Sequence, residues 1–438
     1  MTDWIADEVE ALFPQLVSWR RELHRYPESG WTEYRTSAFI ASKLREWGWK
    51  VYLGREAVEP SARYGVPESE YLHECEQRAI AEGVNPEEME LMQGGFTGVV
   101  AEWVTGRPGP VTALRFDIDS NEIEEAEDID HFPAREGFRS CHSGLMHACG
   151  HDGHTAIGLG LARLLSQNED NLAVAGIIRL LFQPSEEGSR GALAMVEKGW
   201  LEDVDCFLGG HIGFGAEHLG EIVLNATHFY ATTKWDALLR GQAAHAGREP
   251  EKGKNALLAA ATAVLNLHAI TQHSDGVSRL NVGRLSAGSG RNIIPAEAWL
   301  QLETRGETEE VNSYLSQEAE RILRAAAQMY DLDLEIKKMG EAVSAVGSMV
   351  WDGLRRQALA HGNRIELIRD SLALGASEDV TLMINKVQEH DGLASYFLFG
   401  TPVKYGHHHQ GFDFDEKVLA IALEGLARVV GELNRSVP

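Results

Sequence analysis

Cysteine is scarce in this 438-residue chain: Cys75, Cys141, Cys149 and Cys206 are the only four. Four thiols in so long a chain cannot form a disulfide scaffold, so a cysteine in an unusual setting is expected to be free or metal-bound. Basic residues are also short, with 40 Lys and Arg against 66 Asp and Glu and a formal net charge of −26. Such a surface repels phosphate backbones and acidic headgroups, and no cluster of Lys or Arg overrides the average. Nucleic-acid and membrane-surface partners are therefore not expected. No apolar stretch reaches the roughly 18 residues of a membrane span. Residues Met1 to Leu12 carry Asp3, Asp7, Glu8 and Glu10, with neither the basic start nor the apolar stretch of a secretory signal. The cytoplasm is the expected location. Proline is sparse, 13 against 44 glycines, which fits tight strand-to-helix turns rather than disorder.

What is present divides by texture. Apolar residues at helical spacing mark residues 3 to 24 and the stretch through Phe39, Ile40, Leu44 and Trp47. Residues 55 to 95 hold ten Glu, three Arg and no Asp and read as a solvated, partly helical surface insertion. Short, nearly continuous apolar runs follow: Val111 to Phe116, Val174 to Phe182, Cys206 to Leu208 and, much later, Tyr396 to Phe399. Separated by helical stretches, they predict an α/β domain with a mainly parallel sheet buried on both faces. Between 225 and 340, four alternating segments bracket helices at Ala256 to Leu267 and Val311 to Tyr330, the pattern of an inserted four-stranded, two-helix α+β domain. The expected division is 1–226 with 341–438 for the large domain and 227–340 for the insert.

The chemistry lies just beyond the apolar runs. Asp117 and Asp119 follow the first, Glu186 and Glu187 the second, His211 the third, and His407 to His409 the fourth after a loop. Ligands of open α/β sheets bind outside the carboxyl ends of the strands, so one edge would collect all of these groups. A fifth segment is denser, His147-Ala-Cys149-Gly-His151-Asp-Gly-His154 directly before a helix. Five of the 18 histidines lie between His131 and His154 and four between His390 and His409, which places half of them in two loops. Mixed thiolate, imidazole and carboxylate donors suit Zn, Mn, Co or a similar first-row ion. Gly150 lets Cys149 and His151 bend toward one point. Adjacent side chains past a strand diverge, so in the Glu186-Glu187 doublet one carboxylate can ligate while the other receives a proton from water. Singly, each group has a plainer use: a solvated Glu pair, a structural histidine, an Asp capping a turn, a buried thiol. A cysteine nucleophile is the competing reading, but it would need neither the Glu doublet nor the distant histidines.

These residues, with Arg20-Arg21-Glu-Leu-His24, Ala-His245-Ala, Asn292-Ile-Ile-Pro295 and Ser377-Glu378-Asp379, resemble the metal-dependent amidohydrolases and exopeptidases that include aminoacylases, hippurate hydrolases, carboxypeptidase G and plant auxin-conjugate hydrolases. The resemblance covers nearly the whole chain. It implies two divalent metal ions per subunit, Mn or Zn first, with Cys149 bridging them and His151, Glu187, His211 and a C-terminal histidine as ligands. Counting back from Phe412 favours His408, with His407 and His409 as alternatives. Glu186 would be the general base and Asp117 and Asp119 supports of the ligands. The inserted domain would be a lid that dimerises, as a homodimer or with a related subunit. Its His245 and Asn292 would reach an active site, often the partner's, and Arg291 or Arg305 would grip a substrate carboxylate. The implied substrate is a small N-acyl amino acid, an aromatic acyl-glutamate such as aminobenzoyl-glutamate. The alternatives are a dipeptidase or carboxypeptidase on other N-acyl amino acids, or a subunit active only with a partner chain. Two departures concern pocket shape rather than ligands: Ser120-Asn121 replaces the usual Leu-Pro, and Gln410 stands where a proline is common.

Overall fold

The computed structural model describes residues 3–168 and 174–435. Their strands are β1 (Lys50–Leu53), β2 (Val99–Val104), β3 (Val111–Asp117), β4 (Ile177–Gln183), β5 (Cys206–Ile212), β6 (Glu221–Thr227), β7 (Ala231–Arg240), β8 (Ser278–Ala287), β9 (Glu297–Gly306), β10 (Asp333–Ala342), β11 (Leu367–Ala373) and β12 (Leu393–Phe399). Eight form one sheet in the order β1-β2-β4-β3-β5-β12-β6-β11, and four form a second, β10-β7-β9-β8. The four apolar runs of the sequence are the four adjacent, mutually parallel strands β4, β3, β5 and β12 at the centre of the large sheet. The outer pairs β1–β2 and β2–β4 are antiparallel. In the second sheet every pair is antiparallel.

Successive side chains of a strand point to opposite faces, so a strand covered on both sides must be apolar throughout. In β3, Leu114 and Phe116 enter one core and Ala113 the other; in β4, Ile178, Leu180 and Phe182 oppose Leu181; in β12, Phe397 and Phe399 oppose Tyr396 and Leu398. The first core is closed by the helices Trp4–Arg25, Tyr34–Glu46, His151–Gln167 and Lys417–Leu433, through residues such as Leu16, Leu44, Ile157 and Leu423. The second core is closed by the helix Val380–Glu389 and the short helix Ala192–Val196. Each large apolar side chain so buried contributes about 1.5–3 kcal/mol. A third core, between the helices Ala256–Leu267 and Glu309–Met329 and the small sheet, holds Ala260, Leu300, Leu302 and Leu323. Among the described residues no helix is long and apolar enough to cross a membrane.

Residues 55–95 depart from the expectation of a solvated insertion. They are helical at Ser69–Ala81 and Pro86–Met92, and Glu68, Glu70, Glu74, Glu87 and Glu90 are exposed. Yet Cys75, Ala79, Val84, Met89 and Met92 join the first core, and Ala57, Val58 and Ala62 join the second. The abundance of Glu masks an apolar face of a few residues per turn, which is all an amphipathic segment needs.

One buried post ties the ends of the chain to the site. Arg20, 1% exposed, binds Asp152 at 2.9 Å, Glu416 at 3.2 Å and Asp413. His24 bridges Asp152 and Glu125, each at 2.9 Å. Arg20→Met removes the cation and leaves buried Asp152 short of a partner, so about 3–5 kcal/mol of stability should be lost. Denaturant unfolding measures this against Arg324→Met, whose exposed helical pair with Glu320 is worth about 0.3–0.5 kcal/mol.

Candidate metal centre

The parallel register brings the carboxyl ends of the central strands level: Asp117 of β3 lies opposite Gln183 of β4, and His211 of β5 opposite Leu398 of β12. Beyond that edge the chain makes two tight turns. Gly150 caps the helix His151–Gln167 with φ +92°, a conformation costly for any residue with a Cβ. Ser185 and Ser189, at φ +54° and +58°, fold the loop carrying Glu186 and Glu187, and Glu33 accepts the Ser185 N–H at 2.7 Å.

The hydrogen bonds fix which imidazole nitrogens are free. His151 Nδ1 donates to the Asp119 carbonyl at 2.9 Å, which leaves Nε2 facing the cluster, buried and, among the described residues, without a hydrogen-bond partner. His211 Nδ1 donates to the Ile212 carbonyl at 2.8 Å, and its Nε2 lies 3.5 Å from Cys149 Sγ. His154 is arranged in the opposite way, because its Nε2 accepts the Ile212 N–H at 3.0 Å and its Nδ1 therefore donates to Asp117. Two histidines aim Nε2 at one point while the third is a prop. A carbonyl behind each ligating imidazole is how metal-binding histidines are held.

Four overlapping groups each place their donor atoms within 4.8 Å of one another: Cys149, His151 and His211; Cys149, Glu187 and His408; His151, Glu186 and Glu187; and Asp117, His151 and His154. All five expected ligands and Glu186 thus share one cluster. Asp119 organises it, with a carboxylate that accepts the Glu186 N–H at 3.1 Å and the Glu187 N–H at 3.0 Å. Asp117 is held by Arg115, which also binds Gln183 at 2.8 Å and Asp379 at 3.2 Å.

The protonation pattern is that of a site built for a cation. Burial and the negative Glu187 push the Cys149 thiol well above its ordinary value. Burial, with Glu378 and Glu187 nearby, raises Glu186 well above the carboxylate range. Glu187 is different: burial works upward, but interaction with His408 and the charge of His151 bring it down to about 2. His211 is driven well down by burial and by neighbouring His154. Crowded donors that repel one another, with His151 Nε2 buried and, among the described residues, without a hydrogen-bond partner, fit a divalent ion at this position.

The histidine triplet separates by environment. His408, at φ +63° and with its N–H bonded to the Ala148 carbonyl at 2.8 Å, places Nε2 3.2 Å from Glu187 Oε1. His407 stacks on Phe214 at 4.2 Å and bonds the Ile212 carbonyl at 3.1 Å, while His409 stacks on Tyr405. The lid residues lie elsewhere. His245, Arg291 and Asn292 are exposed, with His245 and Asn292 in facing loops joined by the Ala246 N–H and the Asn292 carbonyl at 3.0 Å. The Arg305 guanidinium is held by Glu303 at 3.0 and 3.2 Å.

Sequence reading gave no role to Arg115 or Glu378. Burial raises Glu378 to about 8, and Tyr396 donates to it at 3.3 Å. An arginine inside the apolar run Ala113 to Phe116 was the available signal, since a buried guanidinium needs carboxylates around it.

A family model described as peptidase family M20/M25/M40 matches residues 113–432. An indole-3-acetyl-aspartic acid hydrolase from Enterobacter agglomerans is 50% identical over 420 residues, covering 96% of both chains. A subunit of the p-aminobenzoyl-glutamate hydrolase of Escherichia coli (strain K12) is 50% identical over 421 residues, again 96% of both. The crystal structure of an aminobenzoyl-glutamate utilization protein from Klebsiella pneumoniae superposes with a TM-score of 0.83 at 41% identity over 97% of each chain.

Proposed function

The chain belongs to peptidase family M20/M25/M40 and is a hydrolase of amide bonds, and from that premise we propose that it cleaves N-acyl amino acids with an aromatic acyl group, aminobenzoyl-glutamate foremost, using two divalent ions, Mn or Zn. The observation that carries this reading is the convergence of His151 Nε2 and His211 Nε2 on Cys149 beside the Glu186-Glu187 doublet. Cys149, His151, His211, Glu187 and His408 would hold the ions. Bound there, they supply Lewis acidity toward the scissile carbonyl and a more acidic water. Asp119 holds the backbone of both glutamates and the ring of His151 in one geometry. Glu186, buried and not needed as a ligand, takes the proton of the attacking water at its carboxylate and returns it to the leaving nitrogen. The relatives at 50% identity are named for aromatic conjugates of aspartate and glutamate, which supports the substrate class.

His245, Arg291 and Asn292, exposed in the region 227–340, are best used by the site of a second chain. The Escherichia coli relative, named as one subunit of its hydrolase, the outer position of β8 in its sheet and the exposed Leu258 and Leu265 support a dimer through this lid, homotypic or mixed. Four unpaired cysteines agree with a reducing, cytoplasmic setting. The test is release of free glutamate from aminobenzoyl-glutamate by the purified chain with added Mn or Zn. Turnover should stop with EDTA and return with metal; a chain silent across a panel of N-acyl amino acids until a related subunit is added would establish the mixed assembly instead.

A further inference from the structure

A cavity of about 530 Å³ opens beside Glu187, between the loops of the large sheet and the face of β7, β9 and β10. Two cations line it, Arg190 and Lys234. Arg190 donates to the carbonyls of Glu187 at 2.8 Å and Gly65 at 3.3 Å, and among the described residues it forms no ion pair. A guanidinium fixed by two carbonyls and left without a carboxylate is a preformed anion receptor. Lys234 stands opposite Glu303 in the β7–β9 register. Among the described residues its one ion pair, with Glu303 at 3.9 Å, is too long for a hydrogen bond, and Glu303 is already occupied by the two-pronged grip of Arg305. The Lys234 side chain is 26% exposed, and burial lowers its pKa against the opposing pull of Glu303, Glu186 and Glu187.

Four acids share the lining, and three have another commitment. Glu187 belongs to the metal cluster, Glu303 is held by Arg305, Asp236 accepts from Gln301 at 3.3 Å, and Glu122 is exposed at the rim. Two cations without a hydrogen-bonded carboxylate among the described residues remain in the cavity lining, in a protein of net charge −26.

We propose that Arg190 and Lys234 form a dicarboxylate receptor for the leaving amino acid, Arg190 on the backbone of Glu187 taking the α-carboxylate and Lys234 on the lid strand taking the side-chain carboxylate. This rests on the hydrolytic reading above and deepens it: the enzyme selects acidic leaving amino acids, and its own chain supplies both charges. Of the two sequence candidates, Arg305 is committed to Glu303 and Arg291 is exposed in the lid. Because Lys234 belongs to the lid and Arg190 to the large sheet's loops, a dicarboxylic substrate also ties the two together across the cleft.

The experiment compares an aromatic acyl-glutamate with the matched acyl-glutamine, for the metal-loaded wild type, Lys234→Met, Lys234→Arg and Arg190→Met. Lys234→Met should raise KM for the acyl-glutamate about 10- to 100-fold and leave that for the acyl-glutamine within about twofold, as expected for one charge-assisted contact. Lys234→Arg should recover most of the loss. Arg190→Met should weaken both substrates alike at unchanged metal content. Equal effects of Lys234→Met on both substrates, or none on either, would overturn the proposal. Binding of free glutamate and glutamine, measured by calorimetry, separates this from the reaction itself. If the wild type turns over neither substrate, alone or with the related subunit, the hydrolytic reading falls, while a glutamate preference lost in Lys234→Met still upholds the receptor and its absence still removes it.

Discussion

Glu186→Gln should reduce kcat by about 10²- to 10⁴-fold, the contribution of a positioned general base, with the metal content of the protein unchanged. The expectation follows from the divergence of two adjacent carboxylates. Glu187 meets His408 and the thiolate position, whereas Glu186 is 6% exposed and sits among Glu378, Glu187 and Asp379, which with burial raise its proton affinity. Glutamine keeps the volume and polarity of the side chain and removes only its capacity to accept and return a proton. Metal analysis beside steady-state kinetics distinguishes the two glutamates: Glu187→Gln should lose metal and activity together, Glu186→Gln activity alone. A Glu186→Gln protein that retained more than about a tenth of wild-type kcat would remove Glu186 from the mechanism.

The central sheet and the ligand cluster were legible because both are written locally. An apolar run bounded by Asp117, by Glu186 or by His211 shows a buried strand and its chemistry in one stretch of sequence, and the runs proved to be adjacent parallel strands. The lid segments were equally plain, with the helix Ala256–Leu267 matching its apolar pattern to both ends. Strands β1, β2, β6 and β11 carry no comparable signal. β11 lies at the sheet edge, where Arg369, Asp370 and Ser371 break the apolar pattern, and the short β1 has an exposed Lys50. Residues 55–95 mislead for a related reason, since ten glutamates hide the few residues that enter the cores. Within the site, local sequence marked the candidate ligands that the fold brings together but not the free charges. Nothing near Arg305 in the sequence shows that Glu303 claims it, and nothing near Arg190 shows that no carboxylate does. Such pairings depend on strand register and loop path, which are long-range properties.

Metal uptake should be steeply pH-dependent, and the sign follows from the metal-free site. A thiol ligates as thiolate and an imidazole as the neutral ring. Burial and Glu187 hold the Cys149 proton well above the ordinary thiol range. At His151 burial works against the charged ring, but Asp117 and Asp119 outweigh it and raise the pKa well above the ordinary imidazole range. Both shifts favour the protonated forms in the metal-free protein, so an incoming ion must displace those protons. Apparent affinity should rise with pH, with a slope to which each displaced proton adds up to about one decade per unit. Cys149→Ser should bind metal more weakly and lose up to about one decade of that slope. Competition with a chelator across pH 6–8, corrected for the chelator's own protons, measures both quantities. The same linkage should appear as thermal stabilisation by added metal that grows with pH, because an ion bound only by the folded state shifts unfolding by RT ln(1 + [L]/Kd). A pH-independent affinity would mean that Cys149 and His151 do not ligate as thiolate and neutral ring.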